Sequence, residues 1–307
     1  MKKKVLTCIL AASMTAALAG CGGSQSASDS ASSAASAASA SEAETDSASA
    51  ASSASEADSS SAADTDAVEG VEDGVFTVGF DAEYPPYGYM DDNGEYTGFD
   101  LELAQAVCDM EGWELEKKPI DWNSKDMELN SGSIDCIWNG FTMNGREDDY
   151  TFSIPYVDNS QVIVVAEDSG IEKLTDLAGK QVGVQAASAA LDVLQDEEGQ
   201  KELADTFASI NEFADYNTAF TELQAGALDA LAIDIGVAKY QLNSRGEGFM
   251  MLDETLNSEE YAVGFKKGNQ ALCDIINADL QTLANDGTVA ELAEKYEISD
   301  MVSLKAE

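Results

Sequence analysis

Short apolar runs alternate with longer stretches of helical periodicity from about residue 71 to the end of the chain. The runs that predict strands are 75–80, 134–138, 161–166, 181–184 and 228–233. Phe99, Leu103, Val107 and Met110 recur at the spacing of a helix face, and residues 187–196 and 217–225 predict two further helices. Strands that alternate with amphipathic helices are typical of a mostly parallel sheet covered by helices. The pattern therefore predicts an α/β protein.

Local signals place some of the element ends. Residues 91–94, with the sequence Asp-Asp-Asn-Gly, predict a tight turn after the first strands. Gly287 predicts the end of one helix, and Thr288 with Glu291 predicts a capping box that begins the next.

The first twenty residues have the pattern of an export signal. Lys2, Lys3 and Lys4 precede an apolar run over residues 5–18, which is too short to span a hydrocarbon core of ~30 Å as a helix. The run ends in Leu-Ala-Gly-Cys at Cys21, which resembles the bacterial lipobox, in which the cysteine is lipidated and becomes the new N-terminus. We interpret residues 1–20 as a lipoprotein signal peptide. The alternative is an ordinary secretory signal with an incidental cysteine.

Residues 21–70 differ in composition from the rest of the chain. After Cys21 they are mostly Ala and Ser, they contain no aromatic residue, and their charges are acidic. Such a segment cannot bury enough apolar surface to fold, so we interpret it as a disordered tether. The cysteines that remain in the predicted folded part are Cys108, Cys136 and Cys273. We expect buried reduced thiols, with one disulfide as the alternative.

The composition excludes several classes of function. The chain has 58 acidic against 16 basic residues, a net charge of −42 and no histidine. A Ser-His-Asp triad, a histidine-ligated zinc and a histidine general base are therefore impossible. A body this acidic repels phosphate backbones, which argues against nucleic-acid binding. The chain also has no GxxxxGK[ST] phosphate loop, so it cannot supply ATP hydrolysis itself.

Several segments, in their order along the chain, resemble the extracellular solute-binding proteins of family 3, which serve ABC transporters of polar amino acids. They are GFDAEYPPY at 79–87, YTGFDLELA at 96–104, GFT at 140–142 with Arg146, FSIPY at 152–156, LTDLAGKQVGV at 174–184 and DGT at 286–288. The resemblance covers essentially all of the chain from Val71 to Glu307. The family usually has one more residue between the threonine and the arginine than this chain has between Thr142 and Arg146.

The resemblance implies a two-lobed, periplasmic-binding-protein-like fold of type II, in which two crossover strands form a hinge. Carried over, lobe 1 comprises residues 71–157 and 262–307, and lobe 2 comprises residues 158–261. The crossings are expected near residues 156–159 and 261–264.

A free amino acid carries a carboxylate and an ammonium, so a selective cleft needs a cation for one and an acid for the other. By resemblance, Arg146 is the bidentate receptor of the carboxylate, and Asp234, at the end of an apolar strand, receives the ammonium. The alternatives are a surface Arg146 paired with Glu147 or Asp148, and an Asp234 that caps the helix starting at Ile235.

Further ligand-binding positions are carried over from the same resemblance. Ser188 is expected to receive the carboxylate from lobe 2, or to act only as a helix N-cap. Lobe 1 is expected to present hydrogen bonds and aromatic walls to the ligand. The residues expected to do so are Asn139, Gly140, Thr142, Tyr84 and Trp122. Trp138, which lies on a strand, is expected in the core.

Asp81 and Glu83 predict an acidic subsite for the ligand side chain. Such a subsite disfavours glutamate and aspartate and accepts lysine, arginine, histidine, glutamine or cystine. The alternative is that Asp81 bonds only local backbone and Glu83 is solvated.

The resulting hypothesis is a lipoprotein, anchored at Cys21 on the extracytoplasmic side of the membrane, that captures a polar amino acid and delivers it to an ABC permease. We expect a monomer without cofactor, metal or catalytic residues. Two alternatives remain: an amino-acid-sensing protein, and a dehydratase-like enzyme on the same scaffold with Asp81 or Glu83 as general acid.

Overall fold

The computed structural model describes Val71 and residues 74–307. The predicted signal peptide, Cys21 and the predicted tether lie outside the described residues. The described part is an α/β protein built around two five-stranded sheets.

The first sheet defines lobe 1. Its strands lie in the order β5-β1-β6-β15-β7. They are β1 (Val75–Phe80), β5 (Glu114–Pro119), β6 (Cys136–Ile137), β7 (Tyr150–Phe152) and β15 (Gly264–Lys266). β1 pairs in parallel with β5 and β6, whereas β15 pairs antiparallel with β6 and β7. The chain therefore leaves this sheet after β7 and returns to it near its end.

The second sheet defines lobe 2. Its strands lie in the order β11-β10-β12-β9-β13. They are β9 (Gln161–Ala166), β10 (Gln181–Gln185), β11 (Ser209–Phe213), β12 (Ala230–Asp234) and β13 (Phe249–Thr255). β10 is parallel to β11 and β12, and β9 is antiparallel to β12 and β13. β9 and β12 are apolar on both faces because helices cover the sheet on both sides.

Two short strands connect the lobes. β8 (Val157–Asn159) follows β7 of the first sheet and precedes β9 of the second. β14 (Glu259–Tyr261) follows β13 and precedes β15, and it pairs antiparallel with β8, Glu259 opposite Asn159. The chain thus crosses twice between the sheets, side by side. A two-strand crossing of this kind allows the lobes to rotate by small changes in few residues.

A small three-stranded sheet, eight α-helices and two short 3-10 helices (Trp122–Ser124 and Leu174–Leu177) complete the described part. The sheet comprises β2 (Glu83–Tyr84), β3 (Gly88–Met90) and β4 (Tyr96–Thr97). The helices are α1 (Phe99–Glu111), α2 (Lys125–Ser131), α3 (Ala189–Gln195), α4 (Lys201–Ala204), α5 (Tyr216–Gln224), α6 (Ile235–Arg245), α7 (Gln270–Asp286) and α8 (Thr288–Lys295). None of the helices in this part of the chain is long and apolar enough to cross a membrane.

Most of the predicted elements are confirmed, with differences at their ends. The strands predicted at 75–80 and 161–166 have those bounds, and Phe99, Leu103 and Val107 are buried on α1. Met110 is 43% exposed, so the predicted apolar face ends one turn earlier. The strand predicted over 134–138 shortens to β6, because only two residues there pair with β1.

The predicted capping box at Thr288 is wrong. Gly287, with φ +95°, ends α7 and is also the N-cap of α8, so Thr288 is already inside the helix. The Thr288 amide donates instead to the Asp286 carboxylate at 2.9 Å. The two helices share one residue as their junction, which leaves no place for a side-chain cap.

The cysteines follow the first of the two expectations. Cys108, Cys136 and Cys273 are buried free thiols. Burial raises the pKa of Cys108 to about 12, which keeps its thiol protonated and unreactive at neutral pH.

Gly98 fixes the junction between the small sheet and α1. Its φ is +135°, and a Cβ there would lie 2.1 Å from the Tyr87 carbonyl oxygen. Gly94 also has positive φ, +84°, but a Cβ there meets nothing within 4 Å. A comparison of alanine substitutions at the two glycines therefore distinguishes the cost of backbone strain from the cost of steric overlap.

We predict that Gly98→Ala lowers the free energy of unfolding by roughly 2–5 kcal/mol, since backbone strain and overlap add. Gly94→Ala, the matched control, should cost about 1 kcal/mol because it meets only the strain. Urea unfolding of both variants measures the difference. Equal losses in the two variants would contradict this account of Gly98.

Candidate functional site

The ends of the parallel strands of the two sheets face each other across the boundary between the lobes. Asp81 directly follows β1, and Asn139 lies shortly after β6. On lobe 2, Ser188 follows β10 and Asp234 ends β12. In open α/β sheets the crevice outside the carboxyl ends of the strands is where ligands bind. The boundary between the lobes is therefore the candidate site.

Asp81 joins the two lobes from the lobe 1 side. It is 7% exposed, its Oδ1 accepts from the Glu83 amide at 2.8 Å, and its Oδ2 accepts from Gln185 Nε2 of lobe 2 at 2.6 Å. Burial raises the pKa of Asp81 to about 6, against the lowering effect of these two hydrogen bonds. Asp81 thus makes the local backbone bond of the alternative interpretation and an interlobe contact as well.

Arg146 also reaches lobe 2. Its Nη2 donates to Asp192 of α3 at 2.7 Å, and its Nη1 donates to the Thr142 carbonyl at 3.3 Å. The guanidinium lies 5.1 Å from the centre of the Phe141 ring, a cation–π distance. The ion pair is with Asp192, not with the neighbouring acids of the alternative interpretation. The shortened spacing after Thr142 therefore still directs Arg146 to the boundary.

Asp234 lies in a buried polar cluster beside the crossing strands. Its Oδ1 accepts from Asn159 Nδ2 at 2.8 Å, Gln161 Nε2 at 2.6 Å and the Tyr261 hydroxyl at 2.5 Å. Asp234 stands at the N-cap position of α6, as the alternative interpretation expects, but its side chain makes no capping hydrogen bond and is bound to this cluster instead. Burial raises the pKa of Asp234 to about 6, and the negative charge of Glu259 adds to the effect.

Glu259 is the second carboxylate of this cluster. Its Oε1 accepts from the same two amide groups, Asn159 Nδ2 and Gln161 Nε2, each at 2.7 Å. It also accepts from the Thr142 hydroxyl at 2.8 Å. Neither Asp234 nor Glu259 takes part in an ion pair among the described residues. Two buried acids that share donors and have no cation beside them favour a positively charged group.

Three residues of this cluster were not identified from the sequence: Glu259, Asn159 and Gln161. All three lie in or beside the crossing strands and are at most 5% exposed. A signal was present: three polar side chains stand at the start or end of apolar strand patterns where the chain passes between lobes. Their proximity is a long-range result of the pairing of β8 with β14, which sequence spacing does not reveal.

The hydrogen bonds expected from lobe 1 are mostly used within the protein. The Gly140 amide donates to Asp100 Oδ2 at 2.6 Å, and the Thr142 hydroxyl is bound to Glu259. Asn139 accepts from the Asp81 amide at 3.0 Å, but its buried Nδ2 has no hydrogen-bond partner. The free Nδ2 of Asn139 lies beside Gly88 of lobe 1.

Gly140 has a different role from the one expected of its amide. Its φ is +55°, and a Cβ there would lie 2.9 Å from the Tyr84 ring and 3.0 Å from the Tyr261 ring. Only glycine allows the two tyrosines to meet over the backbone at this point.

Ser188 is the N-cap of α3. Its Oγ accepts from the Leu191 amide at 3.2 Å and donates to the Gln185 carbonyl at 2.7 Å. It is 4% exposed and lies next to Ala187, whose φ is +55°. The capping alternative is therefore confirmed, and the hydroxyl of Ser188 is already engaged at the boundary.

Tyrosines line the apolar side of the boundary. The Tyr84 hydroxyl lies 3.3 Å from the Tyr261 hydroxyl, and the Tyr84 ring lies 6.1 Å from the ring of Tyr216 on lobe 2. Tyr216 was not identified from the sequence, and its buried hydroxyl lies next to Ser188. Aromatic faces around buried acids form a favourable environment for a cation.

Trp122 lies between a core of lobe 1 and the boundary with lobe 2. It is 8% exposed and packs edge-on against Phe141, with ring centres 5.8 Å apart. Its apolar cluster also contains Leu129 and Ile134, and Ala187 of lobe 2 packs against it. Trp122 is thus both part of a lobe 1 core and a wall of the boundary. Trp138 is fully buried, as expected for a core residue.

A separate groove of about 700 Å³ lies at the outer rim between the lobes. Its two lysines are already in ion pairs, Lys239 with Asp300 at 2.7 Å and Lys295 with Glu102 at 2.5 Å. None of the predicted ligand-binding residues lines it. We therefore assign the site to the boundary with the buried acids instead. No group of three or more acidic or cysteine side chains in residues 74–307 is arranged to hold a metal ion.

The chain is similar to known binding proteins along nearly all of its described length. The family "Bacterial extracellular solute-binding proteins, family 3" matches residues 76–299. The L-cystine-binding protein TcyJ of Escherichia coli K12 is 30% identical over 229 residues, covering 73% of this chain and 83% of that protein. The arginine-binding extracellular protein ArtP of Bacillus subtilis 168 is 31% identical over 223 residues, covering 71% and 84%.

A solved structure gives the same result. The histidine-bound substrate-binding protein of an ABC uptake transporter from Streptococcus pneumoniae superposes with a TM-score of 0.73 and 32% identity. The match covers 76% of this chain and 97% of that one. With a family match that spans both lobes and relatives of this identity, the chain belongs to the bacterial extracellular solute-binding proteins of family 3.

Proposed function

We propose that the protein captures a polar amino acid between its lobes and delivers it to the permease of an ABC transporter. The observation that carries the proposal is that Arg146 of lobe 1 and buried Asp234 of lobe 2 belong to one connected network at the boundary. The Thr142 carbonyl accepts from Arg146, and the Thr142 hydroxyl donates to Glu259, which shares two amide donors with Asp234.

This network suits the two charges of a zwitterion. The ligand carboxylate takes the Nη2 position that Asp192 now occupies on Arg146, and the ammonium neutralises Asp234 and Glu259. Each charge-assisted hydrogen bond contributes about 1.5–3 kcal/mol. Because the partners come from both lobes, the closed form binds the ligand better than an open form, and closure follows from that difference.

Asp81 sets the side-chain preference. Its buried carboxylate, with its pKa raised to about 6, favours a cationic or hydrogen-donating side chain and disfavours a second carboxylate. The relatives that bind cystine, arginine and histidine support a basic or neutral polar ligand. Tyr84, Tyr216 and Trp122 enclose the alkyl part and exclude water.

We assign no catalytic step to the site. The enzyme alternative rests on the raised pKa of Asp81, which would suit a general acid. The same burial serves ion pairing with a ligand, and the relatives are binding proteins. An amino-acid sensor with the same cleft remains the alternative to transport. Mass spectrometry of ligand retained through native purification separates capture of an intact amino acid from turnover.

The remaining features of the proposal concern location and assembly. Residues 71–157 and 262–307 form lobe 1, and residues 158–261 form lobe 2. The protein is a monomer, exported by the signal at 1–20 and held at the membrane by lipid on Cys21, with the tether of residues 21–70 between lipid and lobes.

Binding of amino acids tests the proposal directly. We predict that arginine, histidine, glutamine or cystine binds the purified full-length protein in calorimetry, and that glutamate binds more weakly than glutamine. Arg146→Met and Asp234→Asn should each weaken binding at least thirtyfold, because each leaves a buried charge of the ligand unpaired. Lys201→Met is the control, since the Lys201 side chain is 40% exposed and pairs with Asp205, which directly follows α4.

Absence of heat with every common amino acid would refute the proposed function. Unchanged binding in both the Arg146 and the Asp234 variant would refute the assigned site. Tighter binding of glutamate than of glutamine would refute the acidic side-chain subsite alone.

The pH dependence of stability tests the buried acid. An acid whose pKa is raised from 3.8 to about 6 on folding holds its proton more tightly in the folded state, so stability falls as pH rises between these values. We predict that, between about pH 4 and pH 6.5, the free energy of unfolding of wild type falls by roughly 3 kcal/mol more than that of Asp81→Asn. Urea unfolding of the ligand-free proteins at several pH values measures this difference.

Asp91 provides a control of opposite sign. Hydrogen bonds from Glu95 and Asn93 hold the pKa of Asp91 below its usual value, so its contribution to stability is lost as pH falls. As pH falls, the free energy of unfolding of wild type should therefore decrease relative to that of Asp91→Asn. Parallel pH curves for wild type and Asp81→Asn would contradict the buried state of Asp81.

Membrane attachment has a separate test. We predict that Cys21→Ser moves the protein from the membrane fraction to the soluble fraction and removes incorporation of a labelled fatty acid, since we assign anchoring to lipid on this residue alone. Cys8→Ser, in the predicted signal, is the matched control and should leave attachment unchanged. Continued membrane attachment of the Cys21 variant would contradict the assigned anchor.

A further inference from the structure

Lys125 is a buried cation at the lobe boundary. It is the first residue of α2 and is 5% exposed. Its Nζ lies 3.4 Å from the Ala187 carbonyl of lobe 2 and 5.5 Å from the centre of the Trp122 ring. Lys125 takes part in no ion pair among the residues that the structure describes. The boundary therefore contains a second positive group beside Arg146.

The position is unfavourable for a lysine in the empty protein. Burial lowers the pKa of Lys125, and the nearby charge of Arg146 lowers it as well. Asp126 and Asp192 act in the opposite direction. However, Asp126 accepts a hydrogen bond from Tyr150, and Asp192 is paired with Arg146. The start of a helix also disfavours a cation. A long, charged side chain kept here without a carboxylate partner has an unfilled anion-binding capacity.

The boundary has as many acidic positions as cationic positions. Asp81 lies on the lobe 1 side, and Asp234 with Glu259 lies beside the crossing strands, so two separate acidic positions face the cleft. Arg146 and Lys125 are the two cationic positions, both directed at the α3 end of lobe 2 through Asp192 and Ala187. An amino acid with one carboxylate would leave one cation unpaired.

We propose that Lys125 is a ligand-binding residue that receives a second carboxylate, and that the ligand is a bis-amino acid, a molecule with an ammonium and a carboxylate at each end. This inference rests on the proposed function. One ammonium pairs with Asp234 and Glu259, the other with Asp81, and the two carboxylates pair with Arg146 and Lys125. The aromatic side chains of Tyr84 and Trp122 cover the linker between the two ends.

A basic amino acid differs from this ligand at one position only. It supplies both positive charges but a single carboxylate, so it satisfies the acids and Arg146 and leaves Lys125 buried without a partner. Lys125 is therefore the residue that distinguishes the two classes of ligand, whereas Arg146 and Asp234 serve both.

The test is calorimetry of the full-length protein with L-cystine, with meso-diaminopimelate as a non-reducible bis-amino acid, and with L-arginine. Lys125→Met keeps most of the length of the side chain and removes the charge; Lys125→Arg restores the charge. We expect Lys125→Met to weaken binding of both bis-amino acids at least tenfold and to change arginine binding less than twofold. Lys125→Arg should recover most of the loss, and Lys201→Met should change nothing.

Thermal unfolding of the empty protein separates this role from a structural one. Removal of an unpaired buried charge should leave the Tm of Lys125→Met equal to or above that of wild type. The inference is overturned if arginine binds wild type but neither bis-amino acid does, or if Lys125→Met weakens arginine and the bis-amino acids equally. If no amino acid binds wild type, the proposed function fails together with it.

Discussion

Buried carboxylates without a cation are the constraint on which the rest of the boundary depends. Asp81, Asp234 and Glu259 are each at most 7% exposed, and none of them pairs with a lysine or arginine within the described part of the chain. The protein compensates with neutral donors: Gln185 for Asp81, and Asn159 and Gln161 for the other two. Neutral donors satisfy the hydrogen-bonding capacity of the buried acids but leave their negative charge uncompensated. A cationic group that enters the cleft supplies the missing positive charge.

The same constraint explains why the lobes hold together at their edges. Arg146 donates a hydrogen bond to Asp192, and Asp81 accepts one from Gln185. Each of these contacts crosses the boundary to the opposite lobe. The Glu83 carboxylate of lobe 1 likewise accepts from Asn217 of lobe 2. The contacts of Arg146 and Glu83 are exposed, whereas that of Asp81 is buried, so a ligand that offers stronger charge-assisted partners can replace the exposed contacts at modest cost. The hinge strands β8 and β14 carry Asn159 and Glu259 of the buried cluster, which couples the charge of the cleft to the segment that bends.

Apolar packing surrounds the polar contacts of the boundary. The tyrosines of the boundary, Tyr84, Tyr216 and Tyr261, are among the buried residues of one apolar cluster that includes side chains of both lobes. That cluster excludes water next to the acids and the cations, which strengthens the interactions of each charge with its partner. Gly140 is the backbone position that permits this packing, since a side chain there would push the tyrosines apart.

The sequence by itself determined the α/β class, the bounds of β1 and β9, the buried face of α1 and the family, because these depend on local periodicity and on short motifs. It also placed Asp81 and Asp234 at the ends of strands, and the family resemblance singled out Arg146. It missed Glu259, Asn159, Gln161 and Tyr216, and it did not weigh Lys125. Only the tertiary structure decided these, because pairing of β8 with β14 and closure of the lobes bring together residues 98 to 100 positions apart. Whether a polar side chain is solvated or buried beside another charge depends on which distant segment covers it, and no local pattern contains that information.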